Sequence, residues 1–314
     1  MSPSRPVVVL GECVADAFAA PRSGEPAAGL DLTVVPGGGP ATTAVALARL
    51  GTPTRFLGRL SGDVFGRLFR ERLAGSGVDL TGCPDAAESS TLAVADLDGA
   101  GRARYSFHAE GTADWQWTAA ELTAGLPAGP ACLHTGSLAL VRDPGAERIE
   151  ELLDDLHPRA TISIDPNVRP GLVPPDRYRQ RLPRWCRAAD ILRLSDDDLT
   201  HLHPDTPPEK ACDEWHGLGV RLVVITLGAA GALASLDGIR IHVPAHPSDV
   251  VDTVGAGDAF MAGLLHHLHS AGHLGGRLPA LTSEDVQEAV VLGTAVAAAT
   301  CAVRGPNPPW PHEL

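Results

Sequence analysis

Four short runs rich in β-branched and leucine residues, Val7–Leu10, Thr161–Asp165, Ile191–Ser195 and residues 222–227, each end in polar or glycine-rich residues. Between them lie patterns at helical spacing: residues 40–50, residues 64–73 with Phe65, Leu68, Phe69 and Leu73 in helical register, and Gly145–Leu156. Strand and helix therefore alternate. Such alternation is the pattern of a parallel sheet covered by helices on both faces, with ligands bound at the carboxyl ends of the strands. A second texture interrupts it, where Thr91–Leu97 and residues 102–107 flank Asp98-Gly99-Ala100-Gly101. That segment reads as a β-hairpin, either an edge extension or a flap over a site. No internal repeat or inter-domain linker is present, and the proline-rich pieces near Pro174 and Pro207 read as surface loops. One α/β domain over residues 1–314 with an appendage is expected.

At 314 residues and 44% hydrophobic content, the chain can bury a large core. Glu12 and Asp16 interrupt the first apolar run too early for a signal peptide. Residues 289–303 are apolar but mostly small, which suits a buried helix rather than a membrane span. A cytoplasmic protein without a membrane partner is expected. The six cysteines are dispersed, with neither a C-x-x-C pair nor a Cys/His knuckle, so disulfides and zinc are not expected. A net charge of −13 with no basic stripe offers no footprint for nucleic acid. Lys210 is the single lysine and sits in a proline-rich polar segment. The chain thus has neither a G-K-[ST] phosphate loop nor a strand lysine, which excludes P-loop kinases and protein kinases. Any phosphate must be met by arginines, helix N-termini or a metal ion.

The residues from Asp252 to Phe260 read Asp-Thr-Val-Gly-Ala-Gly-Asp-Ala-Phe and open an apolar helix through Met261, Leu264, Leu265 and Leu268. Gly255, Ala256 and Gly257 carry little bulk, so their N–H groups can approach an anion at the positive end of the helix dipole. Asp258 then has two readings. It is either a base beside that anion site or a carboxylate that stabilises a helix start.

This string closely resembles the second signature of the ribokinase-like (PfkB) carbohydrate kinases, D-T-x-G-A-G-D-x-F, with every fixed position present. Further matches follow in family order. Residues 37–51 resemble the first signature, and Gly62, Asp63, Phe65 and Gly66 resemble a G-x-D-x-F-G element. Residues 165–170 resemble the D-P-N-x-R of the fructokinase-like branch, and residues 224–231 a strand and turn at the nucleotide. The resemblance implies a three-layer α/β/α sandwich with a small β-sheet lid from segments about 12–36 and 89–117. It further implies ATP and Mg²⁺ as cofactors, K⁺ beside the anion hole, and lids that pair into a homodimer.

By the same resemblance, Asp258 is the catalytic base and Gly255, Ala256 and Gly257 form the anion hole. Asp16, Gly38, Gly39, Thr42 and Arg169 fall at the sugar. Asn167, Ser195, Thr226, Gly228 and Gly231 fall at the nucleotide, and Asp198 in the outer shell of Mg²⁺. Plain alternatives exist: a solvated loop carboxylate for Asp16, turn formers for Gly38 and Gly39, a surface ion pair for Arg169.

Two departures stand out. Thr42 takes the place of an Asn in the first signature, and Asp198 ends an S-x-x-D element where the family has Glu. Ser195 also suits a helix N-cap. His266, His267, His269 and His273 cluster without a flanking carboxylate or cysteine to complete a metal set. Trp115 and Trp117 suit either ligand stacking or the core. Gly136-Ser137 is no G-x-S-x-G elbow, so a serine hydrolase has no support. The expected activity is phosphorylation of a sugar hydroxyl, with fructose first and a 2-keto-3-deoxy sugar acid, ribose or a nucleoside as alternatives. A non-catalytic sugar-binding regulatory protein is the reading from another class.

Overall fold

The structure is a computed structural model that describes residues 5–21, 29–97, 103–157 and 159–314. Among these, the strands are β1 (Val7–Leu10), β2 (Val14–Pro21), β3 (Leu30–Gly37), β4 (Thr54–Leu57), β5 (Leu60–Ser61), β6 (Asp85–Ala86), β7 (Thr91–Leu97), β8 (Ala103–His108), β9 (Cys132–Gly136), β10 (Thr161–Asp165), β11 (Ile191–Ser195), β12 (Leu222–Thr226), β13 (Ala232–Leu236) and β14 (Ile239–Val243). The helices are α1 (Gly39–Arg49), α2 (Val64–Gly75), α3 (Ala119–Gly125), α4 (Gly145–Leu156), α5 (Pro175–Ala188), α6 (Asp196–Leu202), α7 (Pro208–Leu218), α8 (Ala256–Ser270) and α9 (Ser283–Cys301).

Eight strands form one sheet in the order β14-β13-β12-β11-β10-β9-β1-β4. From β4 to β12 the neighbours run parallel, and β13 and β14 return antiparallel. Successive side chains enter opposite cores, because a strand alternates its faces. Val7, Val9, Ile191, Leu222 and Val224 pack on the side of α1, α2, α8 and α9. Val8, Leu10, Leu192, Leu194, Val223 and Ile225 pack on the side of α4 to α7. Helices on both faces make three layers, and burial on both faces explains why these strands read as unbroken apolar runs.

A four-stranded sheet, β3-β2-β7-β8, stands apart. In it β7 and β8 pair antiparallel, with Leu92 opposite His108, as a hairpin requires; its expected turn at residues 98–101 lies outside the described residues. The other pair, β2 and β3, sets Val14 opposite Gly37 and leads straight into α1. Both pairs fall largely within the two segments expected to form a lid.

The sequence reading missed β4, β9 and the β13–β14 pair. The strand β9 reads Cys-Leu-His-Thr-Gly, and its two polar residues hide it. His134 is buried, with Nδ1 3.0 Å from the Ser163 hydroxyl on β10. Burial, and then Arg193, push its pKa down to about 3, so the ring is neutral and tolerable in the core. The apolar stretch at 289–303 belongs to α9, which starts earlier, at a capping box between Thr282 and Asp285. The helix α9 packs closely on α8 because Gly263 meets Gly293, where a Cβ on Gly263 would lie 2.9 Å from the Gly293 Cα. No helix among the described residues is long and apolar enough to cross a membrane.

Candidate active site

The parallel strands end in a row of polar residues: Glu12 after β1, Asp165 at the end of β10, Arg193 near the end of β11 and Thr226 at the end of β12. Opposite them α8 begins. Its N-cap, Gly255, has φ of 82°, a left-handed conformation that glycine adopts without a Cβ penalty. The turn exposes N–H groups, as expected, but not the expected set. The Ala256 N–H donates to the Thr253 carbonyl at 3.2 Å, whereas those of Gly255, Gly257 and Asp258 make no hydrogen bond among the described residues. The free donors are thus Gly255, Gly257 and the Asp258 backbone itself.

Three sequence segments meet at Gly39. A Cβ placed there would lie 2.8 Å from the Asn167 side-chain nitrogen and 2.9 Å from an Asp258 carboxylate oxygen. Thr43 adds a longer tether from α1, its hydroxyl donating to the Asp258 carbonyl at 3.4 Å. Burial and then Asp165 raise the Asp258 pKa, Arg169 and Arg193 oppose, and Glu12 adds a smaller upward push, which together bring it to about 7. A carboxylate with this pKa can accept a proton near neutral pH and release it again.

Asp16 projects from β2 over Gly37, where a Cβ would overlap its carboxylate. Burial raises it to about 6, opposed by Arg169. Arg169 makes no ion pair among the described residues, yet its charge is felt by Glu12, Asp16, Asp165 and Asp258. Its backbone N–H donates to the Tyr178 hydroxyl at 3.3 Å, and Nη1 to the Val168 carbonyl at 3.2 Å. Asn167, with φ of 42°, donates its N–H to Asp165 at 3.1 Å. Thr42 is buried, its methyl turned toward Gly255, and its hydroxyl makes no hydrogen bond among the described residues. Gly38, with φ of 101°, is the N-cap of α1.

Other expected residues are held by the protein itself. Ser195 and Asp198 form a capping box on α6, and the second Asp198 oxygen accepts the Val168 N–H at 2.7 Å. Both carboxylate oxygens therefore receive protein donors. Asp165 is likewise paired, with Arg193 at 2.7 Å. Among the described residues no free carboxylate set fits a direct Mg²⁺ cage, and an ion that travels with nucleotide phosphates takes most of its ligands from them and from water. The Thr226 hydroxyl accepts from Arg193 at 2.7 Å, which turns it toward the sheet. Gly231, with φ of 94°, packs where a Cβ would overlap the Val243 carbonyl, and Gly228, with φ of 53°, precedes it in the same turn.

Trp115 and Trp117 are both buried in the core, with the Trp115 indole N–H donating to the Ala109 carbonyl at 2.9 Å. The fold brings carboxylates to two of the clustered histidines, His267 to Glu288 at 3.5 Å and His273 to Asp285 at 3.1 Å. These are separate pairs, and no group of three or more metal-ligating side chains occurs among the described residues. Lys210 is exposed and lies 3.9 Å from Glu214.

The sequence reading missed Arg193, Glu12 and Asp114. Glu12 is buried, with one carboxylate oxygen lacking a partner, and burial raises its pKa. Asp114 accepts from the Cys13 N–H at 2.9 Å and the Thr91 hydroxyl at 2.6 Å, which pins β2 and β7 where both leave the main body. Glu12 adjoins the expected Asp16, but nothing in sequence pairs Asp114 with either strand.

The family model for pfkB family carbohydrate kinases matches residues 4–313. A fructokinase from Rhizobium leguminosarum bv. trifolii is 38% identical over 235 residues, covering 74% of this chain and 71% of that protein. A fructokinase from Klebsiella pneumoniae is 36% identical over 241 residues, covering 76% and 78%. Among solved structures, a double mutant of the Vibrio cholerae O395 fructokinase in its fructose-, ADP- and potassium-ion-bound form superposes with a TM-score of 0.81 at 26% identity, covering 96% and 94%. The aminoimidazole riboside kinase of Salmonella enterica, complexed with its riboside and an ATP analogue, gives 0.78 at 27% identity, covering 96% and 95%.

Proposed function

The chain belongs to the pfkB family of carbohydrate kinases and is a sugar phosphotransferase, and we propose on that footing that it transfers the terminal phosphate of ATP to fructose. The observation that carries the reading is the meeting of the Asp258 carboxylate with Gly39 and Asn167 at the start of α8, beside unpartnered N–H groups. Phosphoryl transfer asks for positioning and charge stabilisation in one place, and this arrangement supplies both.

In this reading the sugar lies between Asp16 and the start of α1, with Gly38, Gly39, Thr42 and Arg169 around it. Asp258 takes the proton from the sugar hydroxyl as its oxygen attacks the γ-phosphorus. The new O–P bond forms, the bond to the β-phosphate bridging oxygen breaks, and ADP departs. The N–H groups of Gly255, Gly257 and Asp258 receive the charge on the transferring phosphoryl oxygens. Asn167, Ser195, Thr226, Gly228 and Gly231 border the nucleotide. Mg²⁺ would enter with the nucleotide phosphates, and Asp198, whose oxygens are taken by Ser195 and Val168, would act on it only through the segment it holds. The Asp252 carboxylate joins two loops by accepting N–H bonds from Val254 at 3.0 Å and Gly305 at 2.9 Å. That junction is where K⁺ would act, and a K⁺ titration of turnover tests it.

The four-stranded sheet serves as a lid that excludes water, so that the sugar rather than water accepts phosphate. On this reading residues 1–314 are one kinase domain with that lid. Phe18, Leu30, Leu32 and Phe107 are exposed on it, an apolar surface that suits pairing of two lids in a homodimer. All six cysteines are free, which suits the reducing cytoplasm.

The test is ADP release from Mg-ATP with fructose, ribose, 2-keto-3-deoxygluconate and nucleosides, with Asp258→Asn as control. Fructose-dependent release that the variant lowers by about 10²–10⁴-fold supports the assignment. The structural likeness to a riboside kinase makes a nucleoside the second reading, and a nucleoside-only signal would replace fructose. Sugar binding by calorimetry without turnover would point instead to a regulatory protein.

A further inference from the structure

Arg193 is buried, although it sits in the middle of a strand that otherwise reads Ile-Leu-Arg-Leu-Ser. Its side chain leaves β11 on the face toward α8, and three contacts fix it there. Nη1 donates to Asp165 on β10 at 2.7 Å, Nη2 donates to Thr226 on β12 at 2.7 Å, and the guanidinium carbon stands 5.6 Å over the Phe260 ring. Directly above lies the glycine turn: a Cβ on Gly257 would be 2.6 Å from Nη1 and 2.9 Å from Nη2. The remaining donor, Nε, is buried without a partner. A buried cation with an unsatisfied donor costs stability, and a well-packed apolar residue would avoid that cost. Something other than packing must explain its place beneath the turn.

We infer that Arg193 is a positioning residue of this site: locked between Asp165 and Thr226 under Gly257, its guanidinium braces the anion turn and holds a fixed positive charge facing Asp258. It supplies, from below the backbone, positive charge that a lysine supplies in other kinase designs and that this chain, whose single lysine, Lys210, is exposed on α7 beside Glu214, does not bring from a lysine. The charged groups facing Asp258 are Asp165 and Arg193 from the sheet, Arg169 from the segment after β10 and Glu12 from the segment after β1. From α1 come only the neutral Gly39 and the Thr43 hydroxyl. Arg193 in turn faces Asp165, Asp198 and Asp258, with neutral His134 nearby. Of the two cations, Arg169 is exposed at the rim, where substrate binding and salt alter its influence; Arg193 is fixed.

The inference rests on the sugar-kinase reading, and the experiment separates the two. The pH dependence of kcat/KM for the sugar is measured for the wild-type enzyme, Arg193→Gln and Arg193→Lys. A neighbouring cation lowers a carboxylate pKa, so its removal raises it; the acid limb of Arg193→Gln should move up by about one pH unit, and Arg193→Lys should return it. A purely structural role would lower kcat at every pH and leave the limb where it was, and that result overturns the inference. Should Arg193→Gln not fold, Asp165→Asn is compared with Asp165→Asn/Arg193→Gln. An upward move of the limb between those two supports the inference, and coincident limbs overturn it. A wild-type enzyme that phosphorylates no sugar would instead sink the kinase reading, and this inference with it.

Discussion

Gly39 occupies a position where one methyl group would collide with two functional side chains. Replacing it with Ala places a Cβ 2.8 Å from Asn167 and 2.9 Å from Asp258, closer than carbon sits to such atoms. The site should give way rather than the helix, since alanine suits a helix better than glycine. Gly39→Ala is expected to lower kcat on the order of 10²-fold with an unchanged or slightly higher Tm, read by steady-state kinetics beside thermal melts. Asp258 carries a second expectation at this scale. Its pKa of about 7 leaves the base increasingly protonated as pH falls through neutrality, so kcat/KM should drop on the acid side with a midpoint near that value. A flat profile down to pH 5 would mean that the proton goes elsewhere. Sequence alone named Asp258, because its neighbours form a recognisable string; it could not name Arg193, whose partners Asp165 and Thr226 are distant in the chain and adjacent only across strands.

At the scale of elements, Asp63 joins two that the sequence does not link. It caps α2 by accepting the Gly66 N–H at 2.8 Å, and it also accepts the N–H and hydroxyl of Ser90, each at 2.8 Å, just before β7. Asp63→Ala removes the cap and loosens the root of the lid together. A loss of about 1–2 kcal/mol is expected, measured by urea unfolding as a lower midpoint with unchanged slope. The strands legible in sequence were those with apolar residues on both faces; β9 was not, since His134 and Thr135 look solvent-facing until the neutral ring finds Ser163. The lid hairpin was legible from its two flanking runs. How it is anchored was not, because Asp114 reaches back to Cys13 across 101 residues.

Across the whole molecule, the six thiols are free, and burial pushes every one of them above its ordinary pKa. Thiolate, the reactive form, is therefore scarce in the folded protein. Modification by a colourimetric thiol reagent should run slowly at pH 8, with the four buried cysteines reacting only as the fold opens, and saturating sugar with a non-hydrolysable nucleotide should slow it further. Rapid reaction of all six in the native state would contradict the packing described. The sandwich as a whole was visible in the alternation of strand and helix, and the antiparallel end of the sheet was not, since Ala232–Leu236 and Ile239–Val243 carry no mark of direction.

The sheet order has a consequence for synthesis. The first strand among the described residues, β1, lies inside the sheet between β4 and β9. Its partner β4 follows within fifty residues, whereas Cys132–Gly136 must be translated before its other edge is covered. At ribosomal speeds of about 5–20 residues per second, that edge waits on the order of ten seconds with backbone donors and acceptors open. A nascent chain in this interval is where strand-binding chaperones would have the most to hold.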